Sequence, residues 1–195
     1  MTFGRPCEFD SRQALETATR VFWDQGYQGT SLEDLCTAMD LNKSSFYQAF
    51  GRKSELFQRC LENYRDTSTD LLRAKLDQAA SGRRFIEEVF EGVAGGTKNQ
   101  MGRAGCMLIN TASEFAQRDP RISALVTRAL ERIEDLFYAA VCRAQAEGDI
   151  PRSSDARSLA SFLTANLGGL KGLARAGASP EKMRAIVQVI MNGLK

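Results

Sequence analysis

The chain has 195 residues, of which 43% are hydrophobic and 26% are charged, a composition typical of a folded globular protein. Its net charge of +2 does not by itself indicate a nucleic-acid partner. No apolar run is long enough to span a bilayer, and the N-terminus carries acids where a signal peptide needs an apolar segment. We therefore expect a cytoplasmic protein.

The composition also argues against several kinds of chemistry. Histidine is absent, which removes the commonest general base and the usual metal ligand. The five cysteines are widely spaced and contain no Cys-x-x-Cys pair: Cys7, Cys36, Cys60, Cys106 and Cys142. We expect reduced thiols, no metal site, no cofactor and no enzyme activity.

Apolar residues recur at helical spacing along nearly the whole chain, and no convincing strand alternation is found, so the sequence predicts an all-α fold of about nine helices. The predicted helices cover residues 10–26, 31–38, 42–49, 53–80, 82–96, 105–117, 119–147, 155–176 and 180–194. Asp119 and Ser179 each precede a proline and are expected to cap the helix that follows.

The second and third predicted helices form a helix-turn-helix. Thr30 and Glu33 have the spacing of a capping box, in which the hydroxyl accepts a backbone N–H and the acid reaches back to the cap. A tight turn over residues 39–41 follows, and Asn42 is a good N-cap for a helix that begins at Lys43.

The stretch LNKSSFYQAF, residues 41–50, combines hydroxyls, a lysine and three aromatics with no acid. Phe46 and Phe50, four residues apart, are expected to anchor one face of the helix to the core. The polar residues of its first turn then point outward, where the positive end of the helix favours phosphate. Tyr47 projects sideways with a hydroxyl able to reach the DNA backbone.

Positive charge is concentrated in the same region. Residues 41–54 contain three cations and no acid, whereas residues 1–55 as a whole carry six cations and eight acids. Gln48 has amide geometry suited to adenine, and it either reads a base or only positions the helix. The expected DNA-binding residues are Thr30, Ser31, Asn42, Lys43, Ser44, Ser45, Tyr47, Gln48 and Lys53.

Residues 14–57 resemble the N-terminal domain of the tetracycline-repressor (TetR) family of bacterial transcriptional regulators. The similar elements are the Gly26-Tyr27 turn, the Thr30-Ser31 cap, the Phe46-Tyr47-x-x-Phe50 helix and the Lys53-x-Glu55-Leu56 start of the next helix. The resemblance implies a DNA-binding domain over residues 1–54 and a helical effector-binding and dimerisation domain over residues 55–195. It also implies a homodimeric repressor that binds a palindromic double-stranded DNA operator and is released by a small-molecule effector.

Three positions depart from the family pattern. Ser44 stands where the family often has glycine, Ala49 where it often has histidine or tyrosine, and Arg52 where a small polar residue commonly caps the fourth helix. Ser44 adds a hydroxyl near the bases, and Ala49 removes a phosphate donor. The operator sequence and affinity of other members therefore do not transfer to this chain.

The resemblance also implies that some side chains of the middle helices line an effector pocket, although plain core packing is the alternative for most of them. The expected pocket residues are Phe90, Cys106, Met107, Asn110, Phe115, Phe137, Phe162 and Asn166. Cys106 is interpreted either as a small apolar packing residue or as a reactive thiol at a helix N-terminus.

The last two predicted helices carry more apolar surface than one helical face requires. A buried central helix is one interpretation, and the four-helix dimer contact of the family is the other. The expected dimer-interface residues are Leu159, Leu163, Leu167, Leu170, Ile186, Val187 and Ile190.

Two other functions are less favoured. An enzyme needs a nucleophile or paired carboxylates in a cleft, whereas the acids of the middle helices are interpreted as surface groups that face cations such as Arg128 and Arg132. These acids are Glu87, Glu88, Glu131, Glu134 and Asp135. An all-helical adaptor that uses its first three helices for protein contacts would differ from a regulator by lacking sequence-dependent DNA binding.

Overall fold

The computed structural model describes residues 10–96, 104–115 and 119–195. Within these residues the fold is all-α, as predicted, and no strand is present. The nine helices of the described ranges are α1 (Ser11–Gly29), α2 (Leu32–Ala38), α3 (Lys43–Phe50), α4 (Lys53–Gln78), α5 (Gly82–Gly96), α6 (Met107–Phe115), α7 (Pro120–Glu147), α8 (Ala156–Arg175) and α9 (Pro180–Asn192).

The chain divides into two compact units, the first ending at Tyr64 and the second beginning at Arg65. This division falls within α4, later in the chain than the domain boundary expected after residue 54. That functional domain boundary stays a prediction. The two units are called here the N-terminal unit and the C-terminal unit.

Most helix ends lie close to their predicted positions because the local capping signals are present. Asp119 and Ser179 cap α7 and α9, and a proline follows each of them, as predicted. The sixth predicted helix, residues 105–117, is observed as Met107–Phe115, and residues 116–118 lie outside the described part of the chain. Cys7 also lies outside it.

Helix α1 contains one non-helical residue. Asp10 caps its start by accepting the backbone N–H groups of Arg12 and Gln13 at 2.9 and 3.3 Å. Gly26 has φ 77° and ψ 173°, a conformation that residues with a Cβ rarely adopt. The helical run is therefore interrupted at the glycine where the sequence predicts the first helix to end.

The core of the N-terminal unit is rich in aromatic side chains. The ring of Phe22 contacts Phe57 edge-on at a centroid distance of 5.0 Å, and the Tyr27 ring lies 4.9 Å from the same phenylalanine. Phe46 from α3 is fully buried. The short helices α2 and α3 are too short to be stable alone, so this packing holds them in place.

Helix α7 is the centre of the C-terminal unit and packs against α5, α6 and α8. Its buried residues recur at helical spacing along most of its length, from Ile122 to Ala144. The start of α5 comes so close to α7 that a Cβ on Gly82 would lie 2.2 Å from the carbonyl oxygen of Ala140. Only glycine permits this approach.

Candidate functional site

Helix α2 begins with a capping box, but one residue later than predicted. Ser31 is the N-cap: its hydroxyl accepts the backbone N–H of Asp34 at 3.0 Å, and the Asp34 carboxylate accepts the N–H of Ser31 at 2.7 Å. The expected Thr30 and Glu33 box is therefore wrong. The hydrogen bonds to Ser31 also lower the pKa of the Asp34 carboxyl below its ordinary value.

Thr30 has a different role, because it is 1% exposed and its hydroxyl donates to the carbonyl of Gly26 at 2.7 Å. This bond spans the last turn of α1 and leaves the side chain inaccessible to DNA. The expected DNA contact of Thr30 is therefore not available in this structure, whereas Ser31 is exposed.

The turn between α2 and α3 is held by backbone hydrogen bonds. Asp40 has φ 52°, in the left-handed region, and the N–H of Leu41 donates to the carbonyl of Cys36 at 2.9 Å. Asn42 then caps α3, since its side-chain oxygen accepts the N–H of Ser45 at 2.9 Å. The predicted helix, tight turn and second helix are confirmed.

Helix α3 has two faces with opposite character. Phe46 and Phe50 are 0% and 3% exposed, and their ring centroids lie 5.9 Å apart. Tyr47 is 53% exposed. The prediction that the two phenylalanines anchor the helix is confirmed, and the opposite face is left to polar side chains.

The polar face lies at the N-terminal end of α3. Its exposed residues are Asn42, Lys43, Ser44, Tyr47 and Gln48, and Ser45 is half-buried. The first turn contains no acid. A helix N-terminus with a lysine and several hydroxyls favours an anion such as a DNA phosphate.

Lys53, the first residue of α4, is half-buried. Its ammonium nitrogen lies 4.2 Å from the centroid of the Tyr27 ring, a cation–π contact. This contact fixes a positive charge beside the turn that follows α1.

The corner between α3 and α4 compensates for the unusual Arg52. The carboxylate of Glu55 accepts the backbone N–H of Arg52 at 2.6 Å, so the start of α4 is capped without a small polar side chain at that position. Gly51 has φ 69°, and a Cβ there would collide with the carboxylate of Glu55. The corner thus depends on glycine followed four residues later by glutamate.

The residues expected to line an effector pocket lie in the C-terminal unit and are mostly core. Phe90, Cys106, Met107 and Phe137 are at most 6% exposed, and the Phe90 and Phe137 ring centroids lie 6.0 Å apart. Phe162 is instead 41% exposed on α8.

The polar members of the expected pocket make local hydrogen bonds. The Asn110 amide donates to the carbonyl of Ala104 at 3.0 Å, and the Asn166 amide donates to the carbonyl of Phe162 at 2.8 Å. Asn110, Asn166 and Phe115 are half-buried. These amides therefore stabilise backbone groups of their own segments.

A groove of about 780 Å³ lies between α5 and α9, and none of the expected pocket residues lines it. Its lining residues are Arg83, Glu87, Glu91, Ala94, Gly95, Glu181, Arg184, Ala185, Val187, Gln188, Met191, Asn192 and Lys195. The lining includes both cations and acids. In the sequence, the charged lining residues have the spacing of an ordinary solvent-exposed helix face. The sequence therefore does not predict this groove.

The expected dimer residues divide between the core and half-buried positions. Leu163, Leu167, Leu170, Val187 and Ile190 are at most 7% exposed in the single chain. They are therefore used for packing within the subunit, and the expectation that they form the contact surface is wrong for these five. Leu159 and Ile186 are half-buried.

Exposed apolar residues also occur on both α8 and α9. Phe162 is 41% exposed and Val189 is 71% exposed. Ala165, Gly169 and Gly172 are also exposed on α8. The sequence does indicate that the two neighbours differ in exposure. Phe162 lies directly before the buried Leu163 and therefore points to a different side of the helix.

Four free thiols lie in the described residues. Cys36, Cys60 and Cys106 are buried, and Cys142 is half-buried. Burial raises the pKa of the Cys60 thiol to about 12, and burial also raises the pKa of Cys36. A raised pKa keeps a thiol protonated and unreactive at neutral pH.

The acids considered for an enzyme site are helix-surface groups. Arg84 pairs with the acids three and four residues further along α5, at 2.8 and 3.0 Å. Asp135 pairs with Arg157 at 2.8 Å, whereas Arg132 pairs with Asp66 at 3.1 Å rather than with the acids of its own helix. In the described part of the chain we find no acid, cysteine or histidine cluster suited to a metal, and no helix apolar and long enough to cross a membrane.

Two family models match the chain. The model described as bacterial regulatory proteins of the tetR family matches residues 14–60. The model described as the tetracyclin repressor-like C-terminal domain matches residues 82–190. The first match includes the helix-turn-helix, and the second includes most of the C-terminal unit.

Several known proteins are similar over nearly the whole length. The transcriptional repressor ComR of Escherichia coli is 32% identical over 94% of this chain and 88% of its own length. YezE of Bacillus subtilis, an uncharacterized transcriptional regulator, is 28% identical over 98% of this chain and 99% of its own.

A solved structure extends the similarity to three dimensions. A cysteine mutant of the TetR-family regulator CifR, complexed with 26-base-pair operator DNA, superposes with a TM-score of 0.87 and 29% identity. The match covers 98% of this chain and 100% of the CifR chain. The relatives are transcriptional regulators rather than enzymes. The chain belongs to the TetR family of DNA-binding transcriptional regulators.

Proposed function

We propose that the protein is a homodimeric repressor, located in the cytoplasm, that binds a near-palindromic DNA operator and is released by a small-molecule effector. One observation carries the proposal: the N-terminal end of α3 presents exposed Lys43, Ser44 and Gln48 with no acid in the first turn, while Phe46 and Phe50 are buried beneath. The relatives ComR and BdcR are named repressors, which supports repression over activation.

In this proposal the exposed residues of α3 divide the work on DNA. Lys43 and Tyr47 contact phosphates and fix the register of the helix. Ser44 and Gln48 face base edges in the major groove, where an amide side chain is matched to adenine. Asn42 and Ser31 act mainly through the caps they form, and Ser45 donates its backbone N–H to the Asn42 cap. Lys53 adds positive charge beside Tyr27.

The dimer follows from the geometry of DNA. Each chain carries one α3, and two such helices enter successive major grooves about 34 Å apart when a dimer binds. The exposed apolar residues Phe162 and Val189 on α8 and α9 are the surface that we assign to the subunit contact. The half-buried Leu159 and Ile186 extend it.

The effector site is proposed in the C-terminal unit, in the region of Phe90, Met107 and Phe137. Because these side chains are packed and almost fully buried, a ligand has to separate them. A ligand that binds the opened arrangement more tightly than the closed one shifts the protein away from the DNA-bound state. Equal affinity for both arrangements shifts nothing.

The DNA part is tested with a gel shift on DNA from beside the protein's own gene. We expect retardation of this fragment but not of a shuffled fragment of the same composition. Lys43→Ala should weaken binding and lower the salt slope of the dimer by about 2, since it removes one phosphate contact from each of the two subunits. Equal binding of both fragments would favour the adaptor alternative instead.

The effector part is tested by thermal shift followed by operator release. A ligand class should raise the unfolding temperature of the free protein and release the operator fragment. Asn110→Ala, at the edge of the proposed site, should weaken both effects together. A compound that stabilises the protein but leaves operator affinity unchanged would contradict the coupling.

A further inference from the structure

The recognition helix α3 is poorly supported by its own sequence. It has eight residues, and an isolated helix shorter than about 12 residues is marginal in water. Lys43 places a positive charge at the positive end of the helix, and no acid in the first turn offsets it. The last turn has no basic residue. The charges that suit DNA binding therefore work against the helix before DNA is bound.

The side chain of Arg59 on α4 provides a hydrogen-bond donor and a positive charge at the C-terminal end of α3. The Arg59 guanidinium donates to the carbonyl oxygen of Ala49 at 3.2 Å. The same guanidinium lies over the ring of Phe50, with Cζ 4.9 Å from the ring centroid. It thus satisfies one of the last carbonyl groups of α3 and places a positive charge at the negative end of the helix.

We propose that Arg59 is a positioning residue for DNA recognition, which holds the C-terminal end of α3 so that the N-terminal end presents Lys43, Ser44 and Gln48 in a fixed orientation. Arg59 acts through Ala49 and Phe50, and not through a phosphate. The part of this inference that concerns DNA rests on the proposed function.

The planar guanidinium suits this task better than an ammonium group. A guanidinium group can stack on an aromatic ring while its N–H groups donate hydrogen bonds within its own plane. One side chain can therefore make both contacts at once. Lysine retains the charge but not the planar fork. Methionine retains an apolar stem over Phe50 but can neither donate a hydrogen bond nor carry a charge.

The first arm of the test needs no DNA. Hydrogen exchange of the free protein is measured for the peptide that covers α3 in wild type, Arg59→Ala, Arg59→Met and Arg59→Lys. We expect exchange about three- to fivefold faster in the Ala and Met variants and an intermediate rate in the Lys variant. The control Arg20→Ala removes the same charge from an exposed position on α1 and should leave α3 unchanged.

The second arm measures binding of the operator fragment by fluorescence anisotropy over a range of salt concentrations. Arg59→Ala should lower operator affinity about three- to fivefold and lower non-specific affinity less, with an unchanged salt slope. Lys43→Ala provides the contrast, because removal of one phosphate contact from each subunit of the dimer should lower the slope by about 2.

The outcomes separate the inference from the proposed function. Unchanged exchange in α3 of both Arg59→Ala and Arg59→Met overturns the inference. A fall of about 2 in the salt slope of Arg59→Ala also overturns it, because this would make Arg59 a phosphate contact in each subunit. If Arg59→Ala does not fold, Arg59→Met and Arg59→Lys decide the same questions. If wild type shows no sequence-dependent DNA binding, the proposed function fails, and the exchange arm still decides whether Arg59 holds α3.

Discussion

The two units of the chain differ in how their candidate sites relate to the core. In the N-terminal unit, α3 separates function from packing: Phe46 is buried, and its neighbour Tyr47 is 53% exposed. In the C-terminal unit, residues selected as functional, such as Phe90 and Leu163, are themselves core. A polar DNA surface uses side chains that a core avoids, whereas an apolar pocket or dimer surface uses the same residues as a core.

Substitutions on the buried and exposed faces of α3 are expected to differ most in their effect on the free energy of unfolding. Phe46→Ala leaves a cavity in the N-terminal unit and should lower the free energy of unfolding by about 3–5 kcal/mol. Tyr47→Ala removes an exposed ring and should change it by less than about 0.5 kcal/mol. Urea unfolding followed by the fluorescence of Trp23, the one tryptophan of the chain, reports on this unit.

The two variants should separate further in DNA binding. Tyr47→Ala should weaken operator binding while the protein stays folded, because its proposed role is at the DNA backbone. If both substitutions destabilise the unit equally, the division of α3 into a packing face and a DNA face is wrong.

A matched pair on α8 tests the corresponding division in the C-terminal unit. Leu163→Ala should lower the free energy of unfolding by about 2–5 kcal/mol, because Leu163 is fully buried in the single chain. Phe162→Asp should leave the subunit folded but place a charge in the proposed dimer contact. Light scattering coupled to size exclusion should then report a monomer.

Persistence of the dimer would contradict the assignment of Phe162 and Val189 to the subunit contact. A dimer that persists in Phe162→Asp, and also in a Phe162→Asp, Val189→Asp double variant, would show that the contact lies elsewhere. Val189→Ala alone serves as the mild control and should leave both stability and the dimer nearly unchanged.

A third prediction compares a buried thiol of the N-terminal unit with a half-buried thiol of the C-terminal unit. Burial raises the pKa of the Cys60 thiol from its ordinary value of 9.0 to about 12. Above pH 9 the unfolded chain therefore releases this proton first, and folding stability falls as pH rises from 9 toward 12. The loss should reach about 1.4 kcal/mol at pH 10.

The control for this effect is Cys60→Ala. Its free energy of unfolding should fall less between pH 8 and pH 10 than that of wild type. In wild type at neutral pH, a thiol reagent should modify the half-buried Cys142 well before Cys60. Equal pH dependence in wild type and Cys60→Ala would contradict the assignment.

The smallest expected effect concerns the cap of α2. Ser31→Ala should lower the free energy of unfolding by about 1 kcal/mol, since it removes one side of the observed capping box. Asp34→Ala should be destabilising as well, whereas Glu33→Ala should be nearly neutral. A larger effect for Glu33→Ala than for Asp34→Ala would restore the box expected from the sequence.

Much of the fold follows from the sequence because helix signals are local. Asn42, Asp119 and Ser179 cap the helices that their sequence positions predict, and Phe46 with Phe50 gives the buried face of α3. The capping box was misplaced by one residue because Thr30 and Ser31 are chemically equivalent as caps. The structure distinguishes them by a local hydrogen bond, which the Thr30 hydroxyl donates to the carbonyl of Gly26 four residues earlier.

The C-terminal sites were harder to predict, for a physical reason. Apolar periodicity states which face of a helix avoids water, but not whether a neighbouring helix or a second subunit covers it. Leu163 and Phe162 are adjacent apolar residues on one helix, yet one is fully buried and the other 41% exposed. The sequence does not predict the groove between α5 and α9, because its lining mixes charged residues with small, polar and apolar ones.

The most direct test of the account is a hydroxyl-radical footprint of the wild-type protein on the DNA beside its own gene. Two α3 helices in a dimer should protect two segments related by a two-fold axis and centred about 34 Å apart along the duplex, with half-sites of similar sequence. Lys43→Ala should weaken both protected segments equally. A single protected segment, or uniform protection independent of sequence, would contradict the claim that the polar face of α3 reads an operator as part of a dimer.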